Sequence, residues 1–284
     1  MGAGARPHPA RDRSDRPEGL CRPHRPPWPR PQGRPLMDPI LSARNIRKRY
    51  GAFLALKDVT FDLPRGERHA LIGPNGAGKS TFIACVAGQL PGVEGKMIFR
   101  GEDITALTPA SLAKKGIGRT FQISRAFLQM TVMENIMAAV VIASGRWTSL
   151  SRGLYRDNLE KAFGLLETVK LDDRAAARVA DLSLGDRKRL EFGMALAGDP
   201  ELLLLDEPTA GMSIKERHYL MEMVATRMEE TGKTLLFVEH DIDVVMKIAQ
   251  RVTVMARGAV LVVGTPAEIA ANEEVQAIYL GGHH

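Results

Sequence analysis

The residues best suited to chemistry form a glycine-rich segment that ends in a lysine and two hydroxyl side chains. They are Gly73, Pro74, Asn75, Gly76, Ala77, Gly78, Lys79, Ser80 and Thr81. They match the pattern G-x-x-x-x-G-K-[ST], in which backbone N–H groups surround phosphate oxygens. The pattern predicts that Lys79 reaches the β- and γ-phosphates of a nucleotide. It also predicts that Ser80 places its hydroxyl on Mg²⁺, with Thr81 as a weaker helper.

The sequence on either side supplies the elements that such a loop needs. Residues 69–72 read as a buried strand, and residues 81–87 read as a helix. The positive end of the helix dipole then points at the bound anion. The alternative is a glycine-rich turn before an ordinary helix. A random chain of this length shows the pattern on the order of once in a hundred, so we favour the phosphate site.

A second segment ends in two acidic residues. Residues 201–208 read Glu-Leu-Leu-Leu-Leu-Asp-Glu-Pro, which is typical of a parallel strand buried on both faces. Ligands of open α/β sheets bind at the carboxyl ends of such strands. Asp206 is therefore predicted to hold Mg²⁺ through water. Glu207 is predicted to orient or deprotonate the water that attacks the γ-phosphate.

A third segment, residues 182–186, reads Leu-Ser-Leu-Gly-Asp and is followed directly by a helical pattern from Arg187 to Ala197. It resembles the signature loop of the ATP-binding cassette (ABC) family, usually written L-S-G-G-Q. In that family the serine and the second glycine bind the γ-phosphate held by the opposite subunit. The resemblance implies this role for Ser183 and Gly185. Taken alone, the same residues would be an ordinary helix cap.

Three further residues match parts of the same family. Gln122, in Arg-Thr-Phe-Gln, matches a glutamine that contacts Mg²⁺ and the attacking water and links the site to a transmembrane partner. His240, in Val-Glu-His-Asp, matches a switch histidine that hydrogen-bonds the γ-phosphate. Tyr50 matches an aromatic residue that stacks on adenine, with an ordinary tyrosine at a strand end as the alternative. No role is assigned to His69 or His218.

The resemblance extends from about residue 38 to residue 280. At four places the sequence resembles one subgroup of the family more specifically, the ATPase subunits of branched-chain amino-acid uptake systems. The places are residues 131–136, 210–212, 239–246 and 274–281. Lipopolysaccharide-export ATPases share much of this pattern, so an exporter is the second hypothesis. The third is a cassette ATPase that acts on nucleic acid or ribosomes, although tandem cassettes and long coiled-coil insertions are absent from the sequence.

The signature segment departs from the family at two positions. Leu184 replaces the first glycine, and Asp186 replaces the usual glutamine. A carboxylate suits a helix N-terminus but repels a phosphate at close range. We therefore expect Asp186 to lie beside the nucleotide, with its charge offset by Arg187, Lys188 or Arg189, which could equally form a solvated helix face.

Composition predicts one α/β domain in a reducing compartment. The chain has 284 residues, of which 44% are hydrophobic, and it has two cysteines. No run approaches the roughly 18 apolar residues that span a bilayer, and no secretory signal is visible. We therefore expect the channel on another polypeptide, and the family resemblance implies a peripheral protein at the cytoplasmic face of the inner membrane.

The positive charge is concentrated at one end of the chain. Residues 1–36 contain eight arginines, three acidic residues and nine prolines, so they carry +5 of the net charge of +6. This composition predicts a disordered tail that could touch anionic lipid or nucleic acid. The remaining residues are nearly neutral, which predicts no specific nucleic-acid partner. A simpler hypothesis is that Met37 is the true start, and a full-length product of the native gene by intact mass would contradict it.

The predicted fold is α/β, the P-loop NTPase type, with a mostly parallel sheet flanked by helices. Residues 37–284 form the ATPase domain, and residues of about 123–185 form a smaller helical subdomain. The predicted strands are 41–46, 54–61, 69–72, 96–99, 201–206, 233–238, 252–255 and 260–263.

The family resemblance also implies partners. It implies a head-to-tail homodimer or heterodimer that buries two ATP molecules, each between the phosphate loop of one subunit and the signature loop of the other. It further implies transmembrane permease subunits and, indirectly, a substrate-binding protein. Residues 125–128 are expected to pass the motion to the permease.

Overall fold

The computed structural model describes residue 1 and residues 39–120, 126–145 and 152–280. Gln122 and residues 2–38 lie outside this part of the chain. Contacts between residues divide the chain into two units, Met1–Arg34 and Pro35–His284, and every element below belongs to the second unit.

The strands within the described residues, numbered β1 to β10 in chain order, are Pro39–Tyr50, Phe53–Pro64, Arg68–Ile72, Val93–Phe99, Glu102–Asp103, Ile117–Arg119, Leu202–Asp206, Thr234–Val238, Arg251–Ala256 and Ala259–Gly264. The helices, numbered α1 to α9, are Lys79–Val86, Pro109–Lys114, Val132–Ser144, Arg152–Thr168, Leu184–Leu196, Ile214–Thr231, Ile242–Ile248, Pro266–Ala270 and Glu273–Leu280. Short 3₁₀ turns lie at Asp172–Arg174 and Val179–Asp181.

The central sheet is mostly parallel, as the sequence predicts. Its six strands lie in the order β10-β9-β3-β8-β7-β6, and only the β9–β10 pair is antiparallel. All residues of β7 and β8 are buried, which explains their uninterrupted apolar sequences. Asp206 is paired in register with Val238, so β7 and β8 end side by side. The residues that follow these two strands are therefore neighbours.

A second sheet was not distinguished by the sequence. Strands β2-β1-β4-β5 form an antiparallel four-stranded sheet, joined at β1 and β2 by a tight hairpin. The hairpin turns at Gly51, whose φ of 56° is left-handed and favours glycine. The strands that we predicted at 41–46, 54–61 and 96–99 are present but longer. Antiparallel pairing is not visible in a single strand's pattern, and the pairing of β1 with β4 joins residues that are distant in sequence.

Two hydrophobic cores lie on opposite faces of the central sheet. One includes Phe61, Phe82 and Phe99 and packs the four-stranded sheet and α1 against the central sheet. The other packs α3, α4 and α5 with α6 and α7. Residues alternate between the cores along β7, where Leu202 and Leu204 join the first and Leu203 and Leu205 join the second. This alternation places the central sheet between two layers.

The helical segment predicted around residues 123–182 contains α3 and α4 within its described part. Helix α3 begins at a capping box in which the Thr131 hydroxyl accepts from Glu134 N and the Glu134 carboxylate accepts from Thr131 N. It ends at Gly145, whose φ is 64°. Among the described residues, no helix is both long and apolar enough to cross a membrane.

Candidate nucleotide site

The glycine-rich loop joins β3 to α1, as the sequence predicts, and two of its glycines are required by close backbone packing. A Cβ atom on Gly73 would lie 2.1 Å from the Met255 carbonyl oxygen. A Cβ on Gly78, where φ is 99°, would lie 2.9 Å from Leu56 and 3.0 Å from the Ala55 oxygen. The loop is thus held against β9 and β2, which brings its N–H groups to the start of α1.

Lys79 is the first residue of α1, and its ammonium group folds back over the loop. Its Nζ atom donates to the Gly73 oxygen at 2.7 Å and to the Pro74 oxygen at 3.1 Å. Burial lowers the pKa of Lys79, while the carboxylates of Glu207 and Asp206 act in the opposite direction. A buried cation whose hydrogen-bond partners are two carbonyl oxygens is well placed to bind an anion.

Asp206 links the acidic strand to the phosphate loop. Ser80 Oγ donates to its Oδ1 atom at 3.1 Å, and an Arg119 nitrogen donates to Oδ2 at 3.1 Å. Burial raises the pKa of Asp206, and the Arg119 charge opposes that shift. The hydroxyl and carboxylate oxygens are the hard donors that Mg²⁺ prefers, so this pair fits a magnesium site.

Glu207 and His240 form a second pair at the same edge of the sheet. The His240 Nε2 and Glu207 Oε1 atoms are 2.8 Å apart. Glu207 has a φ of 50°, and its N–H donates to the Val238 oxygen at 3.1 Å. The left-handed backbone directs the chain out of β7 immediately after Asp206. A carboxylate and an imidazole in contact can together orient a water molecule and accept its proton.

Ser183 and Gly185 lie at the start of α5. The Ser183 hydroxyl accepts from Asp186 N at 3.1 Å, which makes Ser183 the N-cap residue. A Cβ on Gly185 would lie 3.0 Å from Glu216 Oε1, at the start of α6. The structure therefore groups these two residues with α5 and α6 rather than with Lys79.

The charge of Asp186 is offset chiefly by one of the three basic residues that we considered. Asp186 forms an ion pair with Arg189, and a second cation, Arg174, lies 3.8 Å away. Arg187 instead donates to the Ala180 oxygen, and Lys188 pairs with Glu191 at 3.4 Å. Asp186 is thus tied back into its own helix.

Arg189 also connects the start of α5 to the end of α4. Its guanidinium donates to the Val169 oxygen at 3.2 Å and to the Lys170 oxygen at 2.6 Å. The same group holds Asp186. The Arg189 side chain thus links the signature segment to the end of α4.

Tyr50 ends β1 with 48% of its surface exposed, and the Lys48 ammonium lies 5.2 Å from its ring centroid. An exposed aromatic face is available for stacking. Gln122 lies outside the described residues, so its predicted position stays a prediction. His69, which was assigned no role, is fully buried and contacts Glu67 and Thr253.

Sequence reasoning missed two residues of this site. Arg119 was quoted only as a neighbour of Gln122, yet it contacts Asp206. Glu239 was quoted only as a neighbour of His240, yet its carboxylate is buried beside Thr209. Neither residue has a motif of its own, because the contact is made across the sheet.

A phosphate loop at the carboxyl edge of a mostly parallel sheet, with two acids at the end of a second strand of that sheet, defines the class of P-loop ATPases. The chain belongs to the ABC transporter family, because the model of that family matches residues 56–210. Residues 259–284 match a second family, described as branched-chain amino acid ATP-binding cassette transporter. The fold class and the family resemblance are both confirmed.

Curated relatives agree with this assignment. The chain is similar to the high-affinity branched-chain amino acid transport ATP-binding protein LivG of Escherichia coli strain K12, with 35% identity over 87% of this chain and 99% of that protein. It is 37% identical to the probable branched-chain amino acid transport ATP-binding protein LivG of Archaeoglobus fulgidus, over 85% of this chain and 95% of that one.

A solved structure agrees as well. An ATP-binding cassette of an ABC transporter, described in its ADP conformation, superimposes with a TM-score of 0.76 and 32% identity, covering 86% of this chain and 99% of that one. The protein is accordingly a nucleotide-binding ATPase of a transport system, in a family of membrane-associated transporter subunits.

Proposed function

We propose that this chain is the ATP-hydrolysing subunit of an importer for branched-chain or related hydrophobic amino acids. The observation that carries the ATPase part is the meeting of Ser80 with Asp206 and of Glu207 with His240 at the carboxyl edge of one sheet. The names of the two LivG relatives and the match of residues 259–284 support the cargo and the direction of transport. They favour import over lipopolysaccharide export or action on nucleic acid.

Nucleotide binding begins at the loop of residues 73–81. Its N–H groups and the α1 dipole attract the phosphates, and Lys79 exchanges the carbonyls of Gly73 and Pro74 for phosphate oxygens. Tyr50 stacks on the adenine. Ser80 and Asp206, with Gln122, would hold Mg²⁺. When bound, that ion neutralises phosphate charge.

Hydrolysis requires a water molecule held in line with the γ-phosphate. Glu207 orients this water and accepts its proton, because its carboxylate is fixed by His240 at 2.8 Å. When ATP is bound, the His240 N–H is shared between Glu207 and the γ-phosphate. Loss of the γ-phosphate after hydrolysis then changes the contacts of both His240 and Glu207, which gives the chain a signal of the nucleotide state.

The functional unit is a head-to-tail dimer with a homologous or identical ATPase. Ser183 and Gly185 of one subunit contact the γ-phosphate held by the other, and the N-terminus of α5 favours that charge. ATP then favours the closed dimer, because it contacts both chains, and hydrolysis removes this preference.

Permease subunits receive the motion through the loop that follows Gln122. Phe127 and Leu128 are both large exposed apolar residues. The buried amide of Asn135 holds this loop, accepting from Phe127 N at 2.7 Å and donating to Phe127 O at 3.1 Å. A rigid loop that presents apolar side chains can transmit force. We infer from the family that the protein works at the cytoplasmic face of the inner membrane, with a substrate-binding protein acting indirectly.

The domain organisation that we proposed from the sequence suits an ATPase that contacts a permease. Residues 37–284 form the ATPase domain, and residues of about 123–185 form its helical subdomain. The subdomain carries the permease contact at one end and leads directly into the signature segment at the other. Of residues 1–36 only residue 1 is among the described residues, so the disordered tail stays a prediction.

The experiment that tests the proposal is transport in proteoliposomes. The chain is reconstituted with the permeases encoded beside it, and uptake of labelled leucine, isoleucine and valine is measured with and without ATP. We expect uptake that requires ATP, Mg²⁺ and a binding protein. Extraction of lipopolysaccharide in place of uptake would support the exporter, and ATP hydrolysis stimulated by nucleic acid would support the third hypothesis.

A further inference from the structure

Glu239 follows β8 directly and lies next to the site. Among the described residues, its carboxylate makes no hydrogen bond to Lys79 or Asp206. It is 4% exposed. Its Oε1 atom accepts from Thr209 N at 3.1 Å and from Thr209 Oγ1 at 2.7 Å. Its Oε2 atom accepts from His240 N at 3.3 Å. One buried side chain thus joins the segment after β7 to the segment after β8.

Thr209 directly precedes a turn formed by residues 210–212, which we call the turn segment. The Ala210 N–H donates to the Glu207 oxygen at 3.2 Å, and the Met212 N–H donates to the Thr209 oxygen at 3.1 Å. Two backbone hydrogen bonds therefore hold the turn segment, one to Glu207 and one to Thr209.

The far end of the turn segment has a second attachment to the histidine segment. Arg217 Nε donates to the Met212 oxygen at 2.9 Å, and the same guanidinium pairs with Asp241 at 3.1 Å. Asp241 follows His240 and caps α7. The turn segment and the segment that holds His240 are thus tied at both ends, by Glu239 and by Arg217.

Both oxygens of the Glu239 side chain must act as hydrogen-bond acceptors. All three neighbouring atoms are donors, two from Thr209 and one from His240. Burial raises the pKa of Glu239, whereas these three hydrogen bonds stabilise the carboxylate. A buried carboxylate costs desolvation free energy, so an apolar or neutral side chain would serve better if packing were the sole requirement.

We propose that Glu239 is a positioning residue that locks the turn segment to His240, so that the state of the Glu207–His240 pair and the position of residues 210–212 change together. The inference rests on the proposed ATPase function and deepens it. Glu239 touches neither nucleotide nor water in this scheme. It acts through Thr209 and through the backbone of His240.

This role predicts a specific kinetic signature. The loop of residues 73–81, Tyr50 and Asp206 bind the nucleotide in our scheme, and the Glu239 hydrogen bonds go to Thr209 and His240 instead, so KM should change little. The turnover number should fall, because a misplacement of about 1 Å in a catalytic group can cost on the order of 100-fold. A residue that merely supports the fold would instead lower stability without separating kcat from KM.

The test compares steady-state ATP hydrolysis by four variants of the full chain. Glu239→Gln keeps the shape but places an amide donor against one of the three donors. Thr209→Val removes the hydroxyl and keeps the backbone contact, while Thr209→Ser restores the hydroxyl. Glu67→Gln is the matched control, because Glu67 contacts buried His69 on β3, outside this arrangement.

We expect Glu239→Gln to lower kcat at least tenfold with KM within about twofold of the native value. Thr209→Val should shift the same two constants in the same direction by a smaller factor, and Thr209→Ser should recover most of the loss. Glu67→Gln should leave kcat unchanged even if its melting temperature falls.

Two results would overturn the inference. The first is native kcat in Glu239→Gln and in Thr209→Val. The second is a loss of kcat that follows the loss of melting temperature equally in all variants, Glu67→Gln included. A native chain that binds and hydrolyses no ATP would instead refute the proposed function, so the two failures are distinguishable.

Discussion

His240 Nε2 and Glu207 Oε1 lie 2.8 Å apart, although the residues come from the ends of two different strands and are 33 positions apart in sequence. The side chains retain 46% and 24% of their exposure, so both are accessible to water and substrate. The contact exists because β7 and β8 are adjacent, parallel and in register at Asp206 and Val238. Two of the five predictions below, those on Glu207 and Lys79, concern the site at this edge of the sheet.

The first prediction concerns Glu207→Gln. The amide is isosteric but cannot accept the proton of the attacking water, so ATP hydrolysis should fall by roughly 100-fold to 10,000-fold. ATP binding should persist, because Lys79 and the loop are unchanged. Light scattering in Mg²⁺-ATP should then detect a dimer that accumulates in the variant and not in the native chain. Normal hydrolysis by the variant would exclude Glu207 as the base.

The second prediction concerns Lys79→Met. The ammonium group makes charge-assisted hydrogen bonds to phosphate, each worth about 1.5 to 3 kcal/mol, so the Kd for ATP should rise roughly 10-fold to 150-fold. Calorimetric titration measures it directly. Lys57→Met, which removes an exposed lysine from β2, is the control and should keep native affinity. Equal affinities for the two variants would contradict the assignment.

The third prediction concerns the pH dependence of stability at His69, which is remote from catalysis in our scheme. Burial lowers its pKa, so the folded protein keeps the imidazole neutral at a pH where the unfolded chain binds a proton. The stabilising difference is complete above the unfolded pKa of about 6.5 and is lost as pH falls below it.

The measurement for His69 is the free energy of unfolding by denaturant at several pH values between 7.5 and 5. Below about pH 6.5 this residue contributes a slope of up to about 1.4 kcal/mol per pH unit. His69→Gln should be less stable than the native chain at pH 7.5, because its packing changes, but should show a shallower decline. Parallel curves for the two proteins would exclude the mechanism.

The fourth prediction concerns Phe127→Ala. Phe127 is 56% exposed and its backbone is held by Asn135, so removing the ring should leave the fold and the ATP site intact. Transport in proteoliposomes should be lost while ATP hydrolysis continues, which is uncoupling. Ile142→Ala is a matched control, since Ile142 is an exposed apolar residue on α3. Native transport by Phe127→Ala would contradict a role in coupling.

The fifth prediction concerns Asp186→Gln. The Ser183 cap uses the Asp186 backbone N–H, and Arg189 keeps its carbonyl contacts with Val169 and Lys170, so α5 should start at the same residue. Removing one negative charge near the partner's phosphate should strengthen ATP-dependent dimerisation. We expect a higher dimer fraction for Glu207→Gln/Asp186→Gln than for Glu207→Gln alone. A lower fraction would mean that the carboxylate aids the contact.

The sequence by itself determined the local parts of the site. The loop of residues 73–81 and the acidic end of β7 are contiguous, and their chemistry depends on residue types at fixed spacing within a few positions. The apolar runs of β7 and β8 likewise identified buried parallel strands, because burial on both faces removes alternation. Such features need no knowledge of the rest of the chain.

Only the tertiary structure decided which of these parts meet. The pairing of Glu207 with His240, the contact of Arg119 with Asp206 and the burial of Glu239 against Thr209 all depend on strand order in the central sheet. The pairing of β1 with β4 in the antiparallel sheet likewise joins residues that are distant in sequence. Strand order reflects the packing of two hydrophobic cores across the sheet, a property of the whole chain that no local pattern encodes.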